Sequence, residues 1–184
     1  MKLLVVCQYF HPEQFRVNDI CFELVRRGHD VTVLVANPAR RTTSELMNGV
    51  RVIKAARWAT VASTPISPAL FWQAARAKAD IAHLHFPHPP GEVANWLLHP
   101  AKRTIISYHS DVVRQTSILR FYKPLMKRVL KKADAIIYGS PPMRKQASPS
   151  AQGAIQSCRL RNTSSANFSK SFIESAPIFA VFSA

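Results

Sequence analysis

Glycine and cysteine are scarce in this 184-residue chain, with five Gly and three Cys. So little glycine excludes a collagen-like repeat, and thiols at positions 7, 21 and 158 are too few and too scattered for a disulfide framework. An odd set of isolated cysteines suits a reducing compartment and reads as structural. No apolar run approaches the roughly 18–20 residues of a membrane-spanning helix. The nearest, Leu3 to Cys7, is also too short for a signal-peptide core and enters the polar stretch His11-Pro12-Glu13-Gln14 without a small-residue cleavage site. These absences point to a cytoplasmic address. Acidic residues are few as well: 10 against 25 Lys and Arg, a formal charge of +15. Partners are therefore expected to be anionic: nucleic acid, acidic lipid or phosphate-bearing metabolites.

What is present is enough for one domain. The chain is 47% hydrophobic, and at this length it can bury about two-thirds of its extended surface. Lys2 to Cys7 and Asp30 to Val35 are short β-branched runs suited to strands buried on both faces. Between them Val17, Ile20, Cys21, Leu24 and Val25 recur at helical spacing, and Gly28 follows Arg26-Arg27, where a left-handed cap ends a helix of residues 16–27. The alternation continues with strands at 50–54, 80–84, 104–108 and 134–138 and helices at 65–78, 91–98 and 116–132, the last divided or kinked by Pro124. This pattern predicts a doubly wound α/β fold on a parallel sheet, helices on both faces, over residues 1–140. Residues 141–184 turn to Ser and Ala with isolated Phe, show neither helical nor strand period, and are read as an irregular tail.

Ligands of such sheets bind beyond the carboxyl ends of the strands. The segments there carry Tyr9, His11 and Glu13 after the first strand, His85, His88, Gly91 and Glu92 after the fourth, and His109, Ser110 and Asp111 after the fifth. The first loop has no G-x-G-x-x-G, which argues against a dinucleotide dehydrogenase. Neither a G-x-S-x-G elbow nor a paired-carboxylate constellation is visible. His83, His85 and His88 form H-x-H-x-x-H, which admits a metal site; the preferred reading is a strand histidine satisfied by a backbone partner, with two pocket-lining donors beside it. For His109 a general base, an orienting donor and a structural role all fit. Asp111 could equally cap backbone N–H groups. In the helix at 116–132, Arg120, Lys123, Lys127, Arg128, Lys131 and Lys132 oppose an apolar stripe of Ile118, Tyr122, Leu125, Met126, Val129 and Leu130. A solvated face, attraction to anionic lipid and nucleic acid binding are the three readings of those cations, and the last rests on charge alone.

Cys7-Gln-Tyr-Phe-His-Pro-Glu13, Leu24-Val-Arg-Arg-Gly-His-Asp-Val-Thr-Val-Leu34, Asp80-Ile-Ala-His-Leu-His85, Pro89-Pro-Gly91 and Ser107-Tyr-His-Ser-Asp111 together resemble the N-terminal domain of glycosyltransferase family 4. The resemblance implies one Rossmann-like half of a GT-B architecture and a retaining transfer from a nucleotide-sugar to a sugar or lipid-linked acceptor, with no obligatory metal. It makes Tyr9 to Glu13 a cleft loop, Pro89 to Glu92 an acceptor-side wall and His109 the cleft histidine near the transferred sugar. Relatives that act at membranes add a peripheral position at the inner membrane face, reached through the cationic helix. The family continues into a donor-binding half with a Glu-x7-Glu site, which residues 141–184 do not resemble. A truncated or frame-shifted chain, inactive alone or completed by a separate polypeptide, is the expectation. A non-catalytic basic module for anionic lipid or nucleic acid is the alternative.

Overall fold

In a computed structural model of the chain, the structure describes residues 1–10, 16–61, 64–109 and 116–138. His11, Glu13, Asp111, the side chain of Arg120 and the tail lie outside the described residues. Nine strands and four helices occur among those described: β1 (Lys2–Val6), α1 (Arg16–Arg26), β2 (Asp30–Ala36), β3 (Thr43–Met47), β4 (Val50–Ala55), β5 (Ala59–Val61), β6 (Thr64–Ile66), α2 (Pro68–Arg76), β7 (Ala79–Phe86), α3 (Pro89–Leu98), β8 (Ala101–Tyr108), α4 (Thr116–Lys132) and β9 (Ala135–Tyr138).

The main sheet runs β3-β4-β2-β1-β7-β8-β9. Every pairing is parallel except that of β3 with β4. The expected doubly wound parallel sheet is present, with one antiparallel edge strand added to it. Asn48 and Gly49, at φ of 47° and 80°, make the hairpin turn that places β3 there. The helices cover both faces, as the alternation implied. Val17, Ile20, Cys21 and Leu24 of α1 pack on Leu3, Val5, Val33 and Ile81. On the other face, Leu70, Ala74, Ala94, Met126, Val129 and Leu130 of α2, α3 and α4 pack on Leu4, Val6, Leu84, Phe86 and Ile106. Each Val, Leu, Ile, Phe or Met side chain among these contributes about 1.5–3 kcal/mol when fully buried.

Local chemistry sets the helix ends. Gly28, at φ of 81°, donates to the Val25 carbonyl while His29 donates to that of Leu24, which closes α1 as a Schellman cap. The second helix starts at Pro68 because the Ser67 hydroxyl accepts from the Leu70 N–H at 3.1 Å, while Pro65 and Ile66 pair with β5 instead. Pro89 and Pro90 open α3 where an absent N–H is harmless. Pro124 does not divide α4: its side chain is exposed, and the helix runs on through it from Thr116 to Lys132.

Gly91 marks the closest approach of helix to sheet. A Cβ there would meet Val6 Cγ1 and His88 Cδ2 at 2.6 Å. Replacing Gly91 with alanine should therefore cost about 1–3 kcal/mol, because a β-branched side chain on the central strand cannot swing aside. Chemical denaturation checks this, and an unchanged midpoint would show that α3 is not seated as described.

Candidate functional site

In the order β4-β2-β1-β7-β8-β9 the chain winds outward in one direction from β1 and in the other from β7, so the segments leaving these two strands diverge and leave a crevice. Cys7, Gln8 and Tyr9 from the β1 side, His85, Phe86 and Pro87 from β7, His109 after β8 and Val17 of α1 enclose a cleft of about 390 Å³ there. Tyr9 is half exposed, and its hydroxyl accepts from Gln8 Nε2 at 3.0 Å. The His109 backbone N–H donates to the Phe86 carbonyl at 3.1 Å, which fixes the end of β8 against that of β7.

Two imidazoles, His85 and His109, line the cleft, and a third, His83, lies behind them. His83 is fully buried, with Nε2 2.7 Å from Ser107 Oγ. Its partner is thus a side-chain hydroxyl and not the backbone group expected. The His83 and His85 rings stand 4.5 Å apart, and His85 Nδ1 lies 3.0 Å from His109 Nε2. Burial, and then the nearby His109, pushes His83 down to about 4. Burial, and then the surrounding imidazoles, holds His85 well below the ordinary histidine range. Both are neutral at pH 7. Burial likewise raises the Cys7 thiol, with Cys21 adding to the effect, so Cys7 offers the cleft an uncharged thiol and no thiolate nucleophile.

His88, Gly91 and Glu92 are not brought into this cleft. They sit at the buried start of α3, across the sheet from His83 and His85. His88 precedes the first turn, and burial pushes its imidazole down to about 4. Glu92 folds back: Oε1 accepts from the His88 N–H at 2.7 Å and Oε2 from the Tyr122 hydroxyl of α4. Burial pushes the Glu92 carboxyl up to about 7 against the lowering effect of those two hydrogen bonds. Pro89 and Pro90, from the same turn, do line a surface groove, an apolar one of about 480 Å³ shared with Ile66 and Phe71. That groove is not legible in the sequence, because the β5–β6 hairpin forming its rim has strands of three residues, too short for any periodicity. Among the described residues, no three His, Cys, Asp or Glu side chains gather as a metal site. Lys123, Lys127, Arg128, Lys131 and Lys132 are exposed on α4, while Met126, Val129 and Leu130 are buried.

A crevice at a topological switch point, walled by two imidazoles and a tyrosine, is where Rossmann-like domains bind their ligands. The sequence profile of Glycosyltransferase Family 4 matches residues 15–149, and the chain belongs to that family. O-antigen chain mannosyltransferase C of Escherichia coli is 30% identical over 148 residues, which make up 77% of this chain and 40% of that protein. D-rhamnosyltransferase WbpZ of Pseudomonas aeruginosa is 39% identical over 83 residues, 44% of this chain and 22% of that protein. The chain therefore matches less than half the length of either relative. Sucrose-phosphate synthase of Thermosynechococcus elongatus superposes with a TM-score of 0.56 at 14% identity, covering 79% of this chain and 43% of that structure. The fold is thus one Rossmann-like half of the GT-B type, as the ordered motifs implied.

Proposed function

We propose that this domain is the acceptor-side half of a retaining glycosyltransferase, passing a hexosyl group from a nucleotide-sugar to a sugar or lipid-linked acceptor. The observation that carries this reading is the cleft where Tyr9, His85 and His109 meet. Neutral hydrogen-bonding rings and an aromatic face suit a sugar, and the amino end of α1, with Val17 in the cleft wall, brings the positive end of a helix dipole to a space where phosphate charge develops. The names of the two relatives, a mannosyl- and a rhamnosyltransferase, support a hexosyl donor. His11, Glu13 and Asp111 belong to the loops proposed to complete the same rim. A donor-binding half, on the same chain or on another polypeptide, completes the catalytic centre. Purified alone, the 184 residues are expected to transfer no sugar. Combined with the donor-binding half of a family relative, they are expected to give product of retained configuration, read from the anomeric coupling by NMR. Inverted product, or turnover by the chain alone, would refute the proposal.

A peripheral membrane position is proposed with it. Helices α2 and α3 expose Trp72, Leu97 and Leu98, and α4 exposes its cations, with the Arg76 guanidinium 5.5 Å from the Trp72 ring. Exposed aromatic and aliphatic side chains and exposed cations both suit an anionic headgroup layer, where each cation near the surface is worth about 1 kcal/mol. No helix among the described residues is long and apolar enough to cross a membrane. Cosedimentation with phosphatidylglycerol vesicles is expected at low salt and lost at high salt, and weakened by Lys127→Glu with Lys131→Glu. No binding at low salt would remove this part of the proposal. Vesicle binding by a chain that stays inactive after completion would favour the non-catalytic lipid-binding alternative.

A further inference from the structure

The contact between His85 and His109 is specific enough to assign a proton. The rings are within 16° of parallel with centroids 5.2 Å apart, while Nδ1 and Nε2 are 3.0 Å apart. The centroid separation is close to that N···N distance plus two ring radii. Both nitrogens therefore lie near the line joining the ring centres, and the hydrogen bond runs in the plane of both rings, along their lone-pair directions. One nitrogen must carry the hydrogen and the other must accept it.

Two arrangements are open. In the first, His85 donates from Nδ1 and its Nε2 is a bare lone pair. In the second, His109 donates from Nε2, and neutral His85 carries its single ring proton on its own Nε2. That Nε2 is buried and has no hydrogen-bond partner. The second arrangement buries an unpaired N–H, which folded proteins rarely tolerate, whereas the first leaves an unfilled acceptor, the lesser penalty. Burial and the neighbouring imidazoles keep His85 neutral, so it has one proton to place.

We infer that His85 is a positioning residue that donates its Nδ1–H to His109 and holds His109 as the Nδ1–H tautomer. Its place in the reaction rests on the reading of the cleft as a sugar-transfer site; the tautomer rests on the ring geometry and on the burial that keeps His85 neutral. The support behind His85 is continuous. Parallel register sets His85 opposite Ser107 on β8, Ser107 bonds His83, and the His83 ring packs against His85. Of the three roles open to His109, this favours the orienting donor: the nitrogen that His85 does not engage carries a hydrogen and cannot take a proton from the acceptor. His109 then presents a donor and not an acceptor at that nitrogen.

The test is the protonation pattern itself. With the full chain labelled at histidine nitrogens, long-range proton–nitrogen correlation above pH 7 is expected to show His109 protonated at Nδ1 and bare at Nε2, by at least about tenfold. His85→Asn, which keeps an N–H donor near the position of Nδ1, is expected to preserve that pattern. His85→Leu should abolish the preference. A wild-type His109 protonated at Nε2, or a pattern unchanged in a folded His85→Leu chain, overturns the inference. Should His85→Leu fail to fold by circular dichroism, the wild-type and His85→Asn spectra decide. No turnover is required, so a chain showing this tautomer yet inactive after completion would sink the transferase reading and leave the assignment standing.

Discussion

Replacing His109 with alanine is expected to lower kcat for sugar transfer about 10²–10³-fold in the enzyme completed by a donor-binding half, with a smaller change in KM. A donor aimed at charge that develops as the leaving diphosphate separates contributes more to the transition state than to the bound ground state, and its removal therefore falls on kcat. His109→Asn, which restores an N–H near the position of Nδ1, should recover part of the loss, whereas a residue serving as a proton acceptor would not be rescued that way. Tyr9→Ala, at the half-exposed rim, should instead raise KM for the acceptor. Steady-state rates against both substrates separate these outcomes, and an unchanged kcat in His109→Ala would remove the histidine from the chemistry.

Mild acid is expected to unfold the domain. His83 and His88 fall from 6.5 in the unfolded chain to about 4 in the folded one, and His85 shifts the same way. A lowered histidine pKa means that the unfolded state binds more protons, so the stability is fully present above pH 6.5 and is lost as the pH falls through about 4. His83 and His88 each account for a loss on the order of 3 kcal/mol, against a typical total of about 5–15. Glu92 has the opposite sign. Its carboxyl is raised from 4.5 to about 7, so its contribution is complete below pH 4.5 and disappears as the pH rises through about 7. With three imidazoles against one carboxyl, urea midpoints should climb from pH 4 to 6.5. Glu92→Gln should steepen that climb and remove the loss on the neutral side. A midpoint that is flat across this range would show that the imidazoles are not buried as described.

The alternation of strand and helix is legible in the sequence because its signals are local. Leu3 to Cys7, and Val31 to Val35 apart from Thr32, are apolar because β1 and β2 are covered on both faces, and α1 shows its stripe and its glycine cap within a dozen residues. The β3 strand is not legible from periodicity, since Thr-Ser-Glu-Leu-Met is exposed through its middle; Asn48-Gly49 alone carries its signal. For the site, the rule that ligands gather beyond the carboxyl ends of parallel strands is enough to select Tyr9, His85 and His109. It does not say which neighbours turn the other way. His88 and Glu92 follow within a few residues of His85, yet their groups are used to start α3. The pairing of His85 with His109 depends on the register of two strands 24 residues apart in sequence, which no local pattern encodes.

The hydrogen bond from Tyr122 to Glu92 has a mechanical side. Glu92 also grips the backbone of His88, immediately after the Pro87 that lines the cleft, so the helix bearing the outer cations is tethered through two bonds to the cleft wall. A charged surface that draws α4 toward itself must break that tether or carry the amino end of α3 along with it. Under the proposed membrane and sugar-transfer roles, docking and the shape of the cleft are adjustments of one linkage.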